Sequence, residues 1–171
     1  MMWRMISAVL LRLRHWWWQS VYRGYRARYT VDESFRFNGA GIQLIGAGLI
    51  TLGPRSYVGE LTTLQAASDC AITVGSDCAI SHNVRVYTTS AVPDADIRVG
   101  AAPSIHGSVA IGDGVWIGAN VYVAPGISIG SNSVIGANSV VTKSVPDGEI
   151  WGGVPARRIR AKRAGSASIA P

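Results

Sequence analysis

A repeat of six residues runs without interruption through residues 111–145 and constrains the fold more than any other feature. The segment reads IGDGVW, IGANVY, VAPGIS, IGSNSV, IGANSV and VTKSV, and an aliphatic residue opens every block. Its fourth places hold Gly114, Asn120, Gly126, Asn132, Asn138 and Ser144. Glycine and asparagine enter the left-handed backbone region at low cost, which favours a corner every six residues. A period of six fits neither a sheet meander nor an α-helix, and predicts a hexapeptide-repeat β-helix with three short strands and three corners per coil.

The same step continues upstream, less regularly. Leu52, Val58 and Leu64 keep the spacing of six, whereas the gap from Leu64 to Val74 is ten and predicts one irregular corner. The repeat resumes as VGSDCA and ISHNVR, in which Cys78 takes an inward place. We therefore assign residues 31–150 to the coil and expect four to five turns, which is enough to bury a continuous core.

Residues 87–108 interrupt the repeat. The stretch YTTSAVPDADIRVGAAPSIHGS contains two prolines and no hexapeptide pattern. It predicts an extended loop that leaves one corner, and a loop of this length on a rigid scaffold is usually functional.

Residues 1–30 predict an amphipathic helix, because their apolar residues recur at intervals of three and four. Arginines interrupt the apolar run too often for a bilayer span. Arginine together with Trp16, Trp17 and Trp18 is typical of an interfacial helix, which predicts peripheral membrane contact through residues 3–29. The alternative is a helix that packs on the coil of its own or a neighbouring subunit.

The basic residues of the chain lie at its two ends. Residues 1–30 hold six arginines and no acid, residues 31–155 hold five basic and ten acidic residues, and residues 156–171 hold five basic residues and no acid. The coil therefore has no basic nucleic-acid-binding face, and no nucleic-acid partner is expected. Two cysteines form no disulfide framework, and no secretion signal is evident, so we expect a cytoplasmic protein at the inner face of the membrane.

Residues 151–160, WGGVPARRIR, closely resemble the segment that closes the coil and lies along the cofactor in acetyl-CoA-dependent hexapeptide-repeat acetyltransferases. With the repeat itself, this resemblance covers residues 40–160. It implies an all-β, left-handed coil, a homotrimer and acetyl-CoA as the donor. Residues 151–171 are then a closing segment and a tail.

Acetyl transfer requires a general base, and histidine is the usual one because it titrates near neutral pH. His82 stands just before a corner residue in ISHNVR, and the segment resembles the one that carries the base of serine acetyltransferases. Galactoside and maltose acetyltransferases instead carry a loop histidine where this chain has Ser90. We expect His82 to be the base and His106 to be the second candidate. Asp94, Asp96 or a backbone carbonyl remain open as its orienting partner.

The resemblance implies that acetyl-CoA lies in a groove between the coils of neighbouring subunits. The residues that we expect along it are Trp116, Gly118, Ala119, Ala124, Gly136, Ala137, Lys143, Arg157 and Arg158. The geometry of the corners alone would also explain why the glycines and alanines among them are small. Asn83, Tyr87 and Ser90 are the expected acceptor contacts.

These features predict an O-acetyltransferase that acts on a sugar of a surface polysaccharide or lipid-linked glycan. N-acetylation of an amino sugar and a non-enzymatic solenoid scaffold remain alternatives. A γ-type carbonic anhydrase requires three histidines around zinc, and the coil offers only His82 and His106, so we expect no metal.

Overall fold

The computed structural model describes residues 2–96, 98 and 103–163. Over these residues the chain forms one helix and a series of short strands. The elements are α1 (Met2–Arg28), β1 (Thr30–Val31), β2 (Arg36–Asn38), β3 (Gln43–Ile45), β4 (Leu49–Leu52), β5 (Tyr57–Gly59), β6 (Thr63–Gln65), β7 (Ala71–Val74), β8 (Ala79–Ile80), β9 (Arg85–Tyr87), β10 (Thr89–Ala91), β11 (Ser104–His106), β12 (Val109–Ile111), β13 (Trp116–Ile117), β14 (Tyr122–Val123), β15 (Ser128–Ile129), β16 (Val134–Ile135), β17 (Val140–Val141), β18 (Glu149–Gly152) and β19 (Arg157–Ala161).

The strands stack into three parallel sheets that form the faces of a left-handed β-helix of about 5 turns, as the repeat and the resemblance predict. The first face is β1-β4-β7-β12-β15, the second is β2-β5-β8-β13-β16-β18, and the third is β3-β6-β9-β14-β17. Successive coils pair in register, so that Ile117 lies between Ile80 and Ile135. Residues at equivalent places therefore form columns along the axis.

The core is the column of residues that open the repeats, and each of them is buried: Ile111, Ile117, Val123, Ile129, Ile135 and Val141. Buried fifth-place residues complete the interior. Two of these are serines that bond to nearby carbonyls, since Ser133 Oγ donates to Pro146 O at 2.7 Å and Ser139 Oγ donates to Gly136 O at 2.6 Å. Cys78 is also buried, as expected for an inward place.

The corners follow the predicted fourth places except in the last block. Asn120, Asn132 and Asn138 have positive φ, as do Gly114 and Gly126. The prediction for Ser144 was wrong. The last coil is shortened, because Val145 bridges Ile129, whereas three full repeats would align it with Ile127. Gly148, with a φ of 66°, makes the following corner in the column of Gly114 and Asn132, two residues earlier than an unbroken repeat would place it.

The predicted interruptions both lie where the third face passes into the first. Leu64 pairs with Val86, and the coil between them is somewhat longer than three repeats. Val86 pairs in turn with Val123, and the coil between these two is much longer, because it contains residues 87–108. The insertion leaves the coil at this corner, as predicted, and its base is an antiparallel hairpin of β10 and β11, which the sequence did not predict. Residues 97 and 99–102 of this loop lie outside the described residues.

The last turns of α1 cover the first coil. Tyr22 stacks on Phe37 with ring centroids 4.6 Å apart. Side chains of the helix also donate hydrogen bonds to carbonyls of the coil: Tyr22 to Gly39 at 2.8 Å, Arg26 to Asp32 at 2.7 Å and Arg28 to Gly46 at 2.7 Å. The alternative that the helix packs on its own coil therefore holds for its C-terminal half. No helix in the described part of the chain combines the length and the apolar character that a membrane span requires.

The other end of the coil is closed by β19, which pairs antiparallel with β18. Glu149 links the two strands, since it accepts the indole N–H of Trp151 at 2.7 Å and forms an ion pair with Arg158 at 2.6 Å. These contacts hold the pKa of Glu149 below its ordinary value. The predicted tail begins beyond Arg163, and residues 164–171 lie outside the described residues.

Candidate active site

His82 stands at the corner between the second and third faces, which we call the histidine corner. Its neighbours in the same column are Glu60, Ala119 and Ala137, one coil apart from each other. Backbone bonds fix this stack, because the N–H of Asn83 donates to Glu60 O at 2.9 Å and the N–H of Asn120 donates to His82 O at 3.0 Å.

Asparagine side chains form a ladder beside this column. Asn83 donates to Asn120 at 2.9 Å, and Asn120 donates to Asn138 at 3.0 Å. Asn83 also has positive φ. The structure thus accounts for Asn83 as a corner residue, while its position directly after His82 keeps it a candidate acceptor contact.

The His82 side chain is exposed and forms no hydrogen bond or ion pair with the described residues. Strong bonding to a fixed partner would hold the ring in a structural role. An imidazole at an outward corner without such bonds can take up or release a proton from a bound molecule.

Glu60 is the carboxylate beside His82 that sequence reasoning missed. Val58 pairs with Ile80, so Glu60 lies one coil before His82, and adjacent strands are about 4.8 Å apart. Part of the signal was in the repeat, because Glu60 in VGEL and His82 in ISHN hold the same place of their blocks, but only the strand pairing puts both at the same corner. Asp94 and Asp96, the expected candidates, lie instead on the loop that follows β10, where Asp96 forms an ion pair with Arg98 at 2.8 Å.

A cavity of about 440 Å³ lies between α1 and the first coils. Trp18 and Phe37 line it with aromatic surface, Arg14 and His15 contribute basic groups, and Glu60 lies at its border. The cavity therefore reaches the column on which His82 stands, one coil away. His15 of α1 is a third histidine, and it belongs to this lining.

Ser90 and His106 occupy a different corner, between the third and first faces, which we call the hairpin corner. On the hairpin, His106 pairs with Thr89 and Ser90 pairs with Ile105. Within one protomer the structure does not bring them together with His82. Tyr87 lies between the two corners at the end of β9, where its ring meets that of Tyr122 edge-on at 5.7 Å.

The expected donor residues fall at both corners and on the second face. Gly118, Ala119, Gly136 and Ala137 lie at the histidine corner, and Ala124 and Lys143 lie at the hairpin corner. Trp116 is 56% exposed on the second face.

Two of the residues expected to bind the donor, Gly118 and Arg158, are explained by contacts within the protein itself. A Cβ on Gly118 would approach Ala137 N to 2.5 Å, so stacking of the coils already requires glycine there. Arg158 is paired with Glu149, whereas the side chain of Arg157 bonds only to its neighbouring backbone carbonyl. The residues with cationic groups left for phosphates are therefore Arg157 and Lys143.

The described residues contain no group of three or more His, Cys, Asp or Glu that could hold a metal ion. Burial raises the pKa of the Cys78 thiol, so this cysteine is not an activated nucleophile. The site chemistry is thus that of an exposed imidazole, a nearby carboxylate and an adjacent cavity.

Comparison with known proteins adds a family and several related structures. The family model described as bacterial transferase hexapeptide (six repeats) matches residues 108–143. The hexapeptide-repeat-containing acetyltransferase VCA0836 from Vibrio cholerae is 27% identical, with a TM-score of 0.67 over 85% of this chain and 81% of that chain. Its complex with acetyl coenzyme A, from Vibrio cholerae O1 biovar eltor, is 30% identical over 70% of this chain and 71% of that chain, with a TM-score of 0.51.

Two further relatives hold coenzyme A or an acyl derivative of it. AntD, an N-acyltransferase from Bacillus cereus in complex with dTDP and 3-hydroxybutyryl-CoA, is 25% identical over 78% of this chain and 79% of that chain, with a TM-score of 0.64. A galactoside acetyltransferase in complex with coenzyme A is 29% identical over 78% of this chain and 65% of that chain, with a TM-score of 0.58. No curated protein matches the chain.

Proposed function

Because the chain belongs to the hexapeptide-repeat acetyltransferases, we propose that it transfers the acetyl group of acetyl-CoA to a sugar hydroxyl. The acceptor is a surface polysaccharide or a lipid-linked glycan, and His82 is the general base. The observation that carries this proposal is the exposed imidazole of His82, which has no bonding partner among the described residues and stands beside a cavity.

The reaction needs no covalent enzyme intermediate. His82 takes the proton of the acceptor hydroxyl while its oxygen attacks the thioester carbonyl carbon. The tetrahedral intermediate collapses, the carbon–sulfur bond breaks, and the proton on His82 passes to the leaving thiolate. The products are the acetyl ester and coenzyme A.

The cavity under α1 is the acceptor site in this proposal. Its volume lies within the usual range for ligand pockets, and the rings of Trp18 and Phe37 offer a flat apolar surface for a sugar face. Arg14 can bind a phosphate of a lipid-linked or nucleotide-linked sugar. Glu60 can accept hydroxyl hydrogen bonds at the border nearest His82.

The donor lies along the second face and the histidine corner. Trp116 supplies an exposed aromatic wall, and Ala119 and Ala137 keep the column next to His82 free of large side chains. A groove needs a second wall, and a neighbouring copy in a homotrimer supplies it. Lys143 and Arg157 then meet the phosphates of coenzyme A.

The test is release of free coenzyme A with an acceptor glycan, measured for the wild type and for His82→Ala and His106→Ala. We expect His82→Ala to lose about 10²–10⁴-fold in turnover, the usual contribution of a general base, while His106→Ala changes turnover far less. Retained turnover in His82→Ala together with loss in His106→Ala would move the base to the hairpin corner. If coenzyme A does not raise the melting temperature of the wild type, the scaffold alternative is favoured.

N-acetylation of an amino sugar is the second candidate, because AntD is an N-acyltransferase. An acceptor that carries both an amine and hydroxyls separates the two reactions. Hydroxylamine cleaves an ester product and leaves an amide intact, so a product resistant to it supports N-transfer.

A further inference from the structure

The two halves of α1 have different surroundings. The C-terminal half packs on the coil through Tyr22, Tyr25 and Trp18. In the N-terminal half, none of the described large apolar side chains packs against the core. The exposed residues of this half include Trp3 at 77%, Leu10 at 60%, Trp16 at 64% and Trp17 at 61%.

These exposed side chains form a continuous stripe that points away from the coil. Ile6, Leu10, Leu13 and Trp17 follow each other at intervals of four, three and four, which keeps them on one side of a helix. At about 100° per residue, this stripe lies roughly 120° around the helix from Trp18, Tyr22 and Tyr25. The coil of the same protomer therefore cannot cover it.

The helix is also basic outside the stripe. Residues 1–30 contain no acid, and Arg12 and Arg23 lie on one side of the helix, about three turns apart along its axis and roughly 120° around it from the stripe. Neither makes a hydrogen bond or an ion pair with the described residues, whereas Arg26 and Arg28 are used to fasten the helix to the coil. Arg12 and Arg23 are thus available to an external partner.

We propose that the N-terminal half of α1 lies flat on an anionic lipid surface. Tryptophan and leucine side chains then enter the boundary between headgroups and acyl chains, and Arg12 and Arg23 bind lipid phosphates. This inference does not depend on the proposed reaction, since it rests on exposure and charge alone.

A second copy of the chain fits the stripe less well. Pairing two such helices would bring together arginine-rich segments that contain no acid. Two acids of the coil are also already engaged, since Asp77 is paired with Arg55 and Asp113 accepts two hydrogen bonds from Ser76. Lipid phosphate supplies the negative charge that the helix lacks.

The experiment is co-sedimentation of the full chain with vesicles of phosphatidylcholine alone or of equal parts phosphatidylcholine and phosphatidylglycerol. We expect binding to the anionic vesicles that weakens as salt is raised. The Leu13→Ser, Trp17→Ser double variant should lose at least about tenfold in partitioning, because two apolar side chains no longer leave water. The matched control Leu49→Ser, Ile159→Ser changes two apolar residues off the helix that are at least as exposed, and it should bind as the wild type does.

The charge contribution is tested by the Arg12→Gln, Arg23→Gln variant. Each arginine near an anionic surface contributes about fivefold, so the pair should lose roughly tenfold or more on anionic vesicles and nothing on neutral ones. Circular dichroism checks that the variants are folded. Equal binding of wild type and both variants overturns the proposal. So does absence of binding combined with a change of oligomeric state in the Leu13→Ser, Trp17→Ser variant, which would assign the stripe to contact between copies.

Discussion

Two corners of the same coil share a backbone and differ in what their side chains do. At the corner between the first and second faces, which we call the aspartate corner, polar groups bind each other. Arg55 pairs with Asp77 at 2.7 Å, Ser76 donates its N–H and hydroxyl to Asp113, and Ser131 N–H donates to Asp147 at 2.8 Å. At the histidine corner the asparagines bind each other, but His82 is left without a partner among the described residues.

This difference shows that equivalent places of the repeat can hold a stabilising residue at one corner and a reacting residue at another. Ser76 and His82 occupy the same third place in consecutive blocks, VGSDCA and ISHNVR. Left-handed residues follow both, with φ of 57° at Asp77 and 55° at Asn83. The coil needs the turn at both places but needs a side-chain contact only at the first, so the second is available for a reacting group.

The largest expected effect comes from removing the side chain at the equivalent place of each corner, His82 at one and Ser76 at the other. His82→Ala should reduce turnover by about 10²-fold or more and leave the melting temperature nearly unchanged. Ser76→Ala should do the reverse, because Asp113 loses a hydroxyl donor while no group near the reaction changes. Calorimetry measures the melting temperature of both variants, and a coenzyme A release assay measures their turnover. If both substitutions affect only stability, the histidine corner is structural as well.

The next effect separates packing from donor binding at the histidine corner. Gly118→Ala places a methyl group 2.5 Å from Ala137 N, so we expect a destabilisation of about 1–3 kcal/mol. Gly136→Ala is the matched control, since its new methyl group lies no closer than 3.5 Å to any neighbour. Thermal unfolding distinguishes the two. Weakened coenzyme A binding in Gly136→Ala without loss of stability would show that this glycine serves the groove.

Glu60→Gln tests whether the carboxylate next to His82 serves the acceptor. The variant keeps the shape and removes the charge, so we expect the KM for the acceptor to rise by about tenfold, the usual contribution of a hydrogen bond to a charged group. The KM for acetyl-CoA should be unchanged. Equal changes in both constants would instead indicate a general disturbance of the corner.

The aspartate corner should respond to pH in a defined direction. The backbone N–H and hydroxyl of Ser76 hold the pKa of Asp113 below its ordinary value. A lowered pKa in the folded state contributes stability above the unfolded value of about 3.9, and this contribution is lost as pH falls through the lowered pKa. Asp113→Asn should therefore melt below the wild type at neutral pH, and the difference should shrink in acid. A constant difference would rule out the charge as its source.

The smallest expected effect concerns the coenzyme A phosphates. Arg158→Gln breaks a partly exposed ion pair and should change coenzyme A affinity less than about twofold, whereas Lys143→Gln should weaken it several-fold and reduce its dependence on salt. Isothermal titration at two salt concentrations measures both. A larger loss of coenzyme A affinity in Arg158→Gln than in Lys143→Gln would mean that Arg158 leaves Glu149 when the donor binds.

The repeat was sufficient to predict the coil, the inward columns and most corners. Inward residues such as Ile117 and corner residues such as Asn120 could be assigned because each place in the repeat has one direction relative to the axis. The backbone of Ser144 could not, because the last coil is two residues shorter than three repeats, as the bridge between Val145 and Ile129 shows. The length of a coil depends on pairing with its neighbours, which local spacing does not reveal.

The candidate site was less predictable for the same reason. His82 could be selected from its own block, but the position of Glu60 depends on the pairing of Val58 with Ile80, across the irregular third-to-first corner. The division of α1 into a docked and an exposed half also depends on tertiary contact, since Trp17 and Trp18 are adjacent in sequence and differ in their partners. Both the roles of the site residues and the membrane contact remain predictions.

Both ends of the coil are covered, and this limits how copies of the chain can associate. A bare end coil would offer a row of free backbone groups to the next molecule and permit fibre growth along the axis. Here Tyr22, Arg26 and Arg28 bind carbonyls at one end, and β19 covers β18 at the other. Neither end therefore presents a bare coil in the parallel register of the stack, which disfavours head-to-tail growth along the axis.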